Sequence, residues 1–149
     1  FMREWYNYAS YGDSTNRLFR KCIKYSFTST QDAVHAKRDY SVKLFNTQGT
    51  SRYTIEPNGF QSFNMIGNEF LTWNIHNVWL IDADYDNYLL LWSCEQHLFG
   101  AFSIESSWIL TRNQTETLNK NIETKLKNVL KRHEMDLSWY GPVSQSGCD

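Results

Sequence analysis

Residues 82–96 read DADYDNYLLLWSCEQ. Acids, an amide and tyrosine rings crowd residues 82–88, an apolar run follows, and the run ends on Cys94. Asp and Asn side chains cap their own backbone in tight turns, so Asp84, Tyr85 and Asn87 read as a corner. The run behind it has the length of a buried strand.

Outward from this corner, the chain reads as short strands between polar turns. WYNYAS (5–10) and CIKYSFTS (22–29) come first. In the second, Ile23, Tyr25 and Phe27 alternate with Lys24, Ser26 and Thr28, the period of a half-buried strand. DYSVKLFN (39–46), SRYTIEP (51–57), NEFLTWNI (68–75), VWLIDA (78–83), NYLLLWSC (87–94) and SIESSWILTR (103–112) follow. About eight strands at hairpin spacing suit an all-β sandwich or an up-and-down barrel. One amphipathic helix is expected over residues 116–133. Leu118, Ile122, Leu126, Val129 and Leu130 form its apolar stripe, which packs outside the sheet. Asn113 is its expected cap, with Glu116 in the capping-box position.

The 149 residues suit a single domain. Hydrophobic residues make up 41% and charged residues 21%, the balance of a folded chain. A net charge of −1 with no basic block gives no nucleic-acid footprint. No apolar stretch reaches membrane-span length. The 16% aromatic content fits either a ring-rich core or a ring-lined cavity. Cys22, Cys94 and Cys148 lack metal or CxxC spacing, which leaves a staple in a secreted protein or three unpaired thiols. Asn113–Thr115 is a glycosylation sequon.

Catalytic patterns are sparse. Asp82, Asp84 and Asp86 could hold a cation, but interleaved Ala83 and Tyr85 make a solvated corner the better reading. His35, His76, His97 and His133 are scattered, and neither HExxH nor GxSxG occurs.

Eight strands and then a helix is the order of the lipocalin family, and three stretches carry the resemblance. REWYNYASY with Trp5 resembles its first motif, DADYDNY its second, and SSWILTR with Arg112 its third. The resemblance is nearest to the arthropod pigment carriers (bilin-binding proteins, insecticyanins, crustacyanins) and to apolipoprotein D. Two positions depart from the pattern: Arg3 stands where a glycine is expected and Ala83 where a threonine is expected. The resemblance implies an eight-stranded antiparallel up-and-down barrel with one C-terminal helix outside, forming a single lipocalin domain over residues 1–149. It implies that Trp5 and Arg112 close one end through a cation–π contact. It implies a Cys22–Cys148 disulfide, with Cys94 pairing to a cysteine on an N-terminal arm that precedes Phe1.

A Cys94 facing outward sets the parity of its strand. Tyr88, Leu90 and Trp92 then face out, and Leu89, Leu91, Ser93 and Glu95 face in. The resemblance carries the inward set to Asn7, Ala9 and Tyr11, to Leu44, Asn46 and Ile55, and to His76, Val78 and Leu80. On the last long strand it gives Ile104, Ser106, Trp108 and Leu110. An outward thiol is no nucleophile for a cavity, so the expected role is a non-enzymatic, secreted carrier.

The expected ligand is a lipophilic small molecule, at best a conjugated chromophore bound non-covalently. A biliverdin-like bilin would meet Arg17, Arg20 and Lys21 near the mouth. An astaxanthin-like carotenoid would protrude and favour a homo- or hetero-oligomer with other lipocalin chains. Phe60, Phe63 and Phe99 would then cover the mouth or pack across the interface, and Phe99-Gly100 tips the balance to carotenoid. The alternative is a colourless fatty-acid or sterol transporter, or a storage or interaction protein with a filled barrel.

Overall fold

The Asp84 corner is a tight turn: Asn87 N–H donates to the Asp84 carbonyl at 2.7 Å and Asn87 Nδ2 to Asp84 Oδ2 at 2.9 Å. It joins two strands of an antiparallel sheet in a computed structural model that describes residues 2–12, 14–70, 72–97 and 99–148. The strands are β1 Arg3–Tyr11, β2 Arg20–Ser29, β3 Val34–Val42, β4 Thr47–Gly59, β5 Ser62–Gly67, β6 Ile75–Asp84, β7 Tyr88–His97 and β8 Phe102–Thr111. Each pairs with the next, and β1 pairs with both β2 and β8, so the eight close into a barrel. A short helix, α1 Ser14–Phe19, lies between β1 and β2. After β8 come helix α2 Lys120–Arg132, a 3₁₀ turn Leu137–Trp139, and a two-residue strand β9 Gly141–Pro142 against β1.

Alternation sorts the side chains into two clusters. Trp5, Ile23, Phe27, Tyr53, Leu89 and Leu110 belong to the cluster inside the barrel. Outside, Tyr88, Leu90 and Ile109 pack against Leu126, Val129 and Leu130 of α2. Burying each such aliphatic side chain stabilises the fold by about 2 kcal/mol.

The barrel has a seam. β1 pairs with β2 only from Arg3 to Tyr6. Beyond that, the C-terminal tail fills the gap. Val143 N–H donates to the Tyr8 carbonyl at 3.0 Å and Cys22 N–H to the Ser144 carbonyl at 2.8 Å. The buried Gln145 amide donates to the carbonyls of Asn7 (2.9 Å) and Ile23 (3.2 Å). A Cys22–Cys148 disulfide, with Cα atoms 5.6 Å apart, pins this tail.

Three expected elements shift. The helix begins at Lys120, and its cap is Asn119, whose side chain accepts from Asn121 N–H at 2.8 Å. Upstream, Thr115 Oγ1 accepts from Thr117 N–H, a local turn that competes with helix. Residues 68–70 and 72–74 lie outside any strand. Asn74 Oδ1 accepts from Gly67 N–H at 2.8 Å, Thr72 N–H donates to the Glu69 carbonyl, and Phe70 is 93% exposed. The strand there is β5, where Phe63 and Met65 point into the core. Finally, β3 stops at Val42, and residues 43–46 turn, with Asn46 at φ 49°.

Candidate functional site

The connections of an up-and-down barrel alternate between its ends. At one end the Asp84 corner meets the start of β1 and the end of β8. The Arg112 guanidinium lies 3.6 Å over the Trp5 ring. It donates to the carbonyls of Tyr85 (2.8 Å), Met2 (3.1 Å) and Glu4 (3.2 Å). Trp5 is fully buried. This end is closed. At Arg3 the backbone keeps a left-handed conformation (φ 77°) at the position where a glycine was expected.

At the other end lies a cavity of about 430 Å³, within the range of small-molecule sites. Tyr53 and Trp108 line it over the filled core. Its walls are polar: Ser51, Thr72, Asn74, Ser93 and Ser106 line it, together with Arg20, Arg38 and Glu95. Arg38 is largely buried and donates to Ser51 Oγ at 3.4 Å. Arg20 lies 4.0 Å over the Tyr40 ring, and Arg38 lies 5.6 Å from the Tyr53 ring centre. Such stacking orients a guanidinium while leaving its edge able to donate. Gly49 permits it, because a Cβ there would sit 2.5 Å from the Tyr40 ring.

Of the residues expected to bind ligand, Ser93, Ile104, Ser106 and Trp108 line this cavity. Ile55, Val78, Leu89 and Leu91 face inward but belong to the packed core. Asn7 also faces inward, across from Leu110, and is fully buried. Its amide, like the hydroxyl of buried Ser10, has no hydrogen-bond partner among the described residues.

Seven expected positions are corrected. A bulge between Asn7 and Ala9 reverses the parity of β1. Ala9 therefore pairs with outward Ile109, and Ser10 takes the inward place beside Trp108. Tyr11 lies outside, donating to Glu105 and packing edge-on to Tyr140 and Trp139. Burial, then the Glu105 hydrogen bond, pushes the Tyr11 phenol up, and burial pushes Tyr140 to about 12. Leu44 is 80% exposed and Asn46 is exposed, both in the turn after β3. His76 is exposed because Asn77 takes φ 54° and turns Ile75 inward instead. Among the expected mouth aromatics, Phe63 is buried and Phe60 sits in the β4–β5 turn at the closed end.

Arg38, Ser51 and Tyr53 were missed, although their signal was in the sequence. Counting back by twos from Val42 gives Tyr40, Arg38 and Ala36. Counting back from Ile55 gives Tyr53, Ser51 and Gly49. Thr72 and Asn74 had no such signal, since they lie in the loop misread as a strand.

Cys94 is half-buried on the outer face, opposite Glu105, and free among the described residues. Among those residues no group of three His, Cys, Asp or Glu could hold a metal ion, and no helix is long and apolar enough to cross a membrane.

A barrel of this topology with a ligand-sized cavity at one end defines a carrier architecture. The profile of the lipocalin / cytosolic fatty-acid binding protein family matches residues 4–146, and the chain belongs to that family. The Lazarillo protein of Schistocerca americana is 30% identical over 154 residues, covering 98% of this chain and 68% of the relative. Apolipoprotein D of Cavia porcellus is 33% identical over 70 residues, 47% of this chain and 35% of its own length. Insecticyanin from the tobacco hornworm Manduca sexta superposes with a TM-score of 0.80 at 18% identity, covering 99% of this chain and 79% of its own. Lobster apocrustacyanin A1 gives 0.78 at 18% identity, with 98% and 78% covered. As a lipocalin, the chain belongs to a family of binders of small hydrophobic molecules.

Proposed function

We propose that the protein is an extracellular, non-enzymatic carrier of a lipophilic small molecule with an acidic end. The observation that supports it is the pair of guanidinium groups, Arg20 and Arg38, in a cavity lined by Tyr53 and Trp108. The apolar body rests on the rings and the acid meets the two arginines, whose forked donors match a carboxylate. The lower barrel is filled by its own side chains, so a long neutral carotenoid has less support than sequence alone suggested. Among chromophores, a bilin with two carboxylates fits better. A colourless fatty acid fits the same chemistry. The disulfide and the exposed Asn113 sequon support a secreted, glycosylated chain. We place the partner of Cys94 on an arm before Phe1, and keep association with other lipocalin chains as a consequence of ligand protrusion.

An absorption spectrum of natively purified protein, with mass analysis of its solvent extract, tests the reading. A visible band with an acidic pigment, or no band with a fatty acid, is expected. A neutral carotenoid or sterol in the extract would overturn it.

A further inference from the structure

The loops at the open end carry large apolar side chains that face solvent. Phe19 follows β1, Leu44 and Phe45 follow β3, Phe70 and Trp73 follow β5, and Phe99 follows β7. All are well exposed, Trp73 by 82% and Phe99 fully. They ring the cavity mouth, which Trp73 also lines. At the closed end the described turns expose two large rings, Phe60 in the β4–β5 turn and the half-exposed Tyr85 in the otherwise polar Asp84 corner. Apolar tips on four separate loops form no groove for a peptide, but a flat surface can meet them together.

The charges around the rim select the surface. Arg17, Lys21 and Lys43 stand on or beside these loops and are partly exposed. Among the described residues of the loops the one acid is Glu69, which is already paired with Arg52 at 2.9 Å. With Asp13 counted from the sequence, these loops and their edges still carry more Arg and Lys than Asp and Glu, on a chain whose net charge is −1. Aromatic tips beside lysines are the composition that settles into the headgroup region of anionic lipid. We propose that the open end docks on an anionic lipid surface, with these tips in the headgroup–acyl boundary and the cavity mouth facing the lipid. A ligand would then pass between cavity and lipid without crossing water. This docking holds whatever the cavity carries.

The test is co-sedimentation with vesicles of phosphatidylcholine alone and of phosphatidylcholine with phosphatidylserine. The protein should bind the mixed vesicles, and the binding should weaken as salt rises. The double variant Phe45→Ser/Phe99→Ser should bind them on the order of 100-fold more weakly. Lys43→Glu should lose about tenfold on mixed vesicles alone. Both substitutions are at exposed loop positions, and an unchanged far-ultraviolet circular dichroism spectrum and thermal midpoint would show that the barrel is intact. Three results would overturn the proposal: no binding to either vesicle, equal binding by the double variant, or salt-independent binding to neutral vesicles. A concentration-dependent dimer abolished by Phe45→Ser/Phe99→Ser would also overturn it, by assigning the rim to a second copy.

Discussion

The two ends of the barrel are made of opposite materials. At the closed end the Trp5 ring has a guanidinium over it, Arg112 has three carbonyls, and Asp84 has Asn87 and Lys125. At the open end aromatic tips face solvent and arginines line a space large enough for a guest. Groups packed in a filled core hold a fold together, whereas groups that line a cavity can also meet a guest. Stability and ligand recognition should therefore respond to mutations at different ends.

The sharpest break in that contrast is Trp5→Ala. It empties a fully buried site and should cost about 4 kcal/mol in denaturant unfolding. Replacing Cys22 and Cys148 by serine frees the tail that fills the β1–β2 seam. With a sequence separation of 126, the expected loss is about 3 kcal/mol by the same measurement. If either change instead spares stability and abolishes ligand binding, the division between the ends fails.

At the open end, Arg38→Met should keep the barrel, seen as an unchanged far-ultraviolet circular dichroism spectrum. It should weaken an acidic ligand by about tenfold while leaving its methyl ester unaffected, in fluorescence titration. Arg3→Gly tests the closed end in the other direction. It relieves a left-handed residue and should raise stability by about 1 kcal/mol.

The smallest effect is a matter of pH. The Lys125 hydrogen bond, then that of Asn87, holds the Asp84 carboxyl below its ordinary value of 3.8. A depressed acid contributes stability that is complete above that value and is lost as pH falls through the lower folded pKa. Asp84→Asn should lower Tm by about 2 °C at neutral pH, a difference that closes in strong acid.

The legible part of this protein followed from local rules. Period-two alternation marked most of the strands, the three- and four-residue spacing of Leu126, Val129 and Leu130 marked the helix face, and the Asp84–Asn87 chemistry marked the corner. Alternation also placed Leu89, Ser93, Ser106 and Trp108 on the inner face. It failed wherever one residue broke the count. The bulge after Asn7 turned Ala9 and Tyr11 outward, and the left-handed Asn77 did the same to His76. A bulge or a positive φ leaves little mark in composition, because the partner strand decides where the extra residue goes. The stretch around Phe70 and Trp73 looked like a strand because both are apolar, and only the fold shows them facing solvent at the mouth. Whether a side chain fills a barrel or lines a space depends on what stands across from it. Arg38, Ser51 and Tyr53 are far from Ser93, Ser106 and Trp108 in the chain, and barrel closure is what brings them to one cavity.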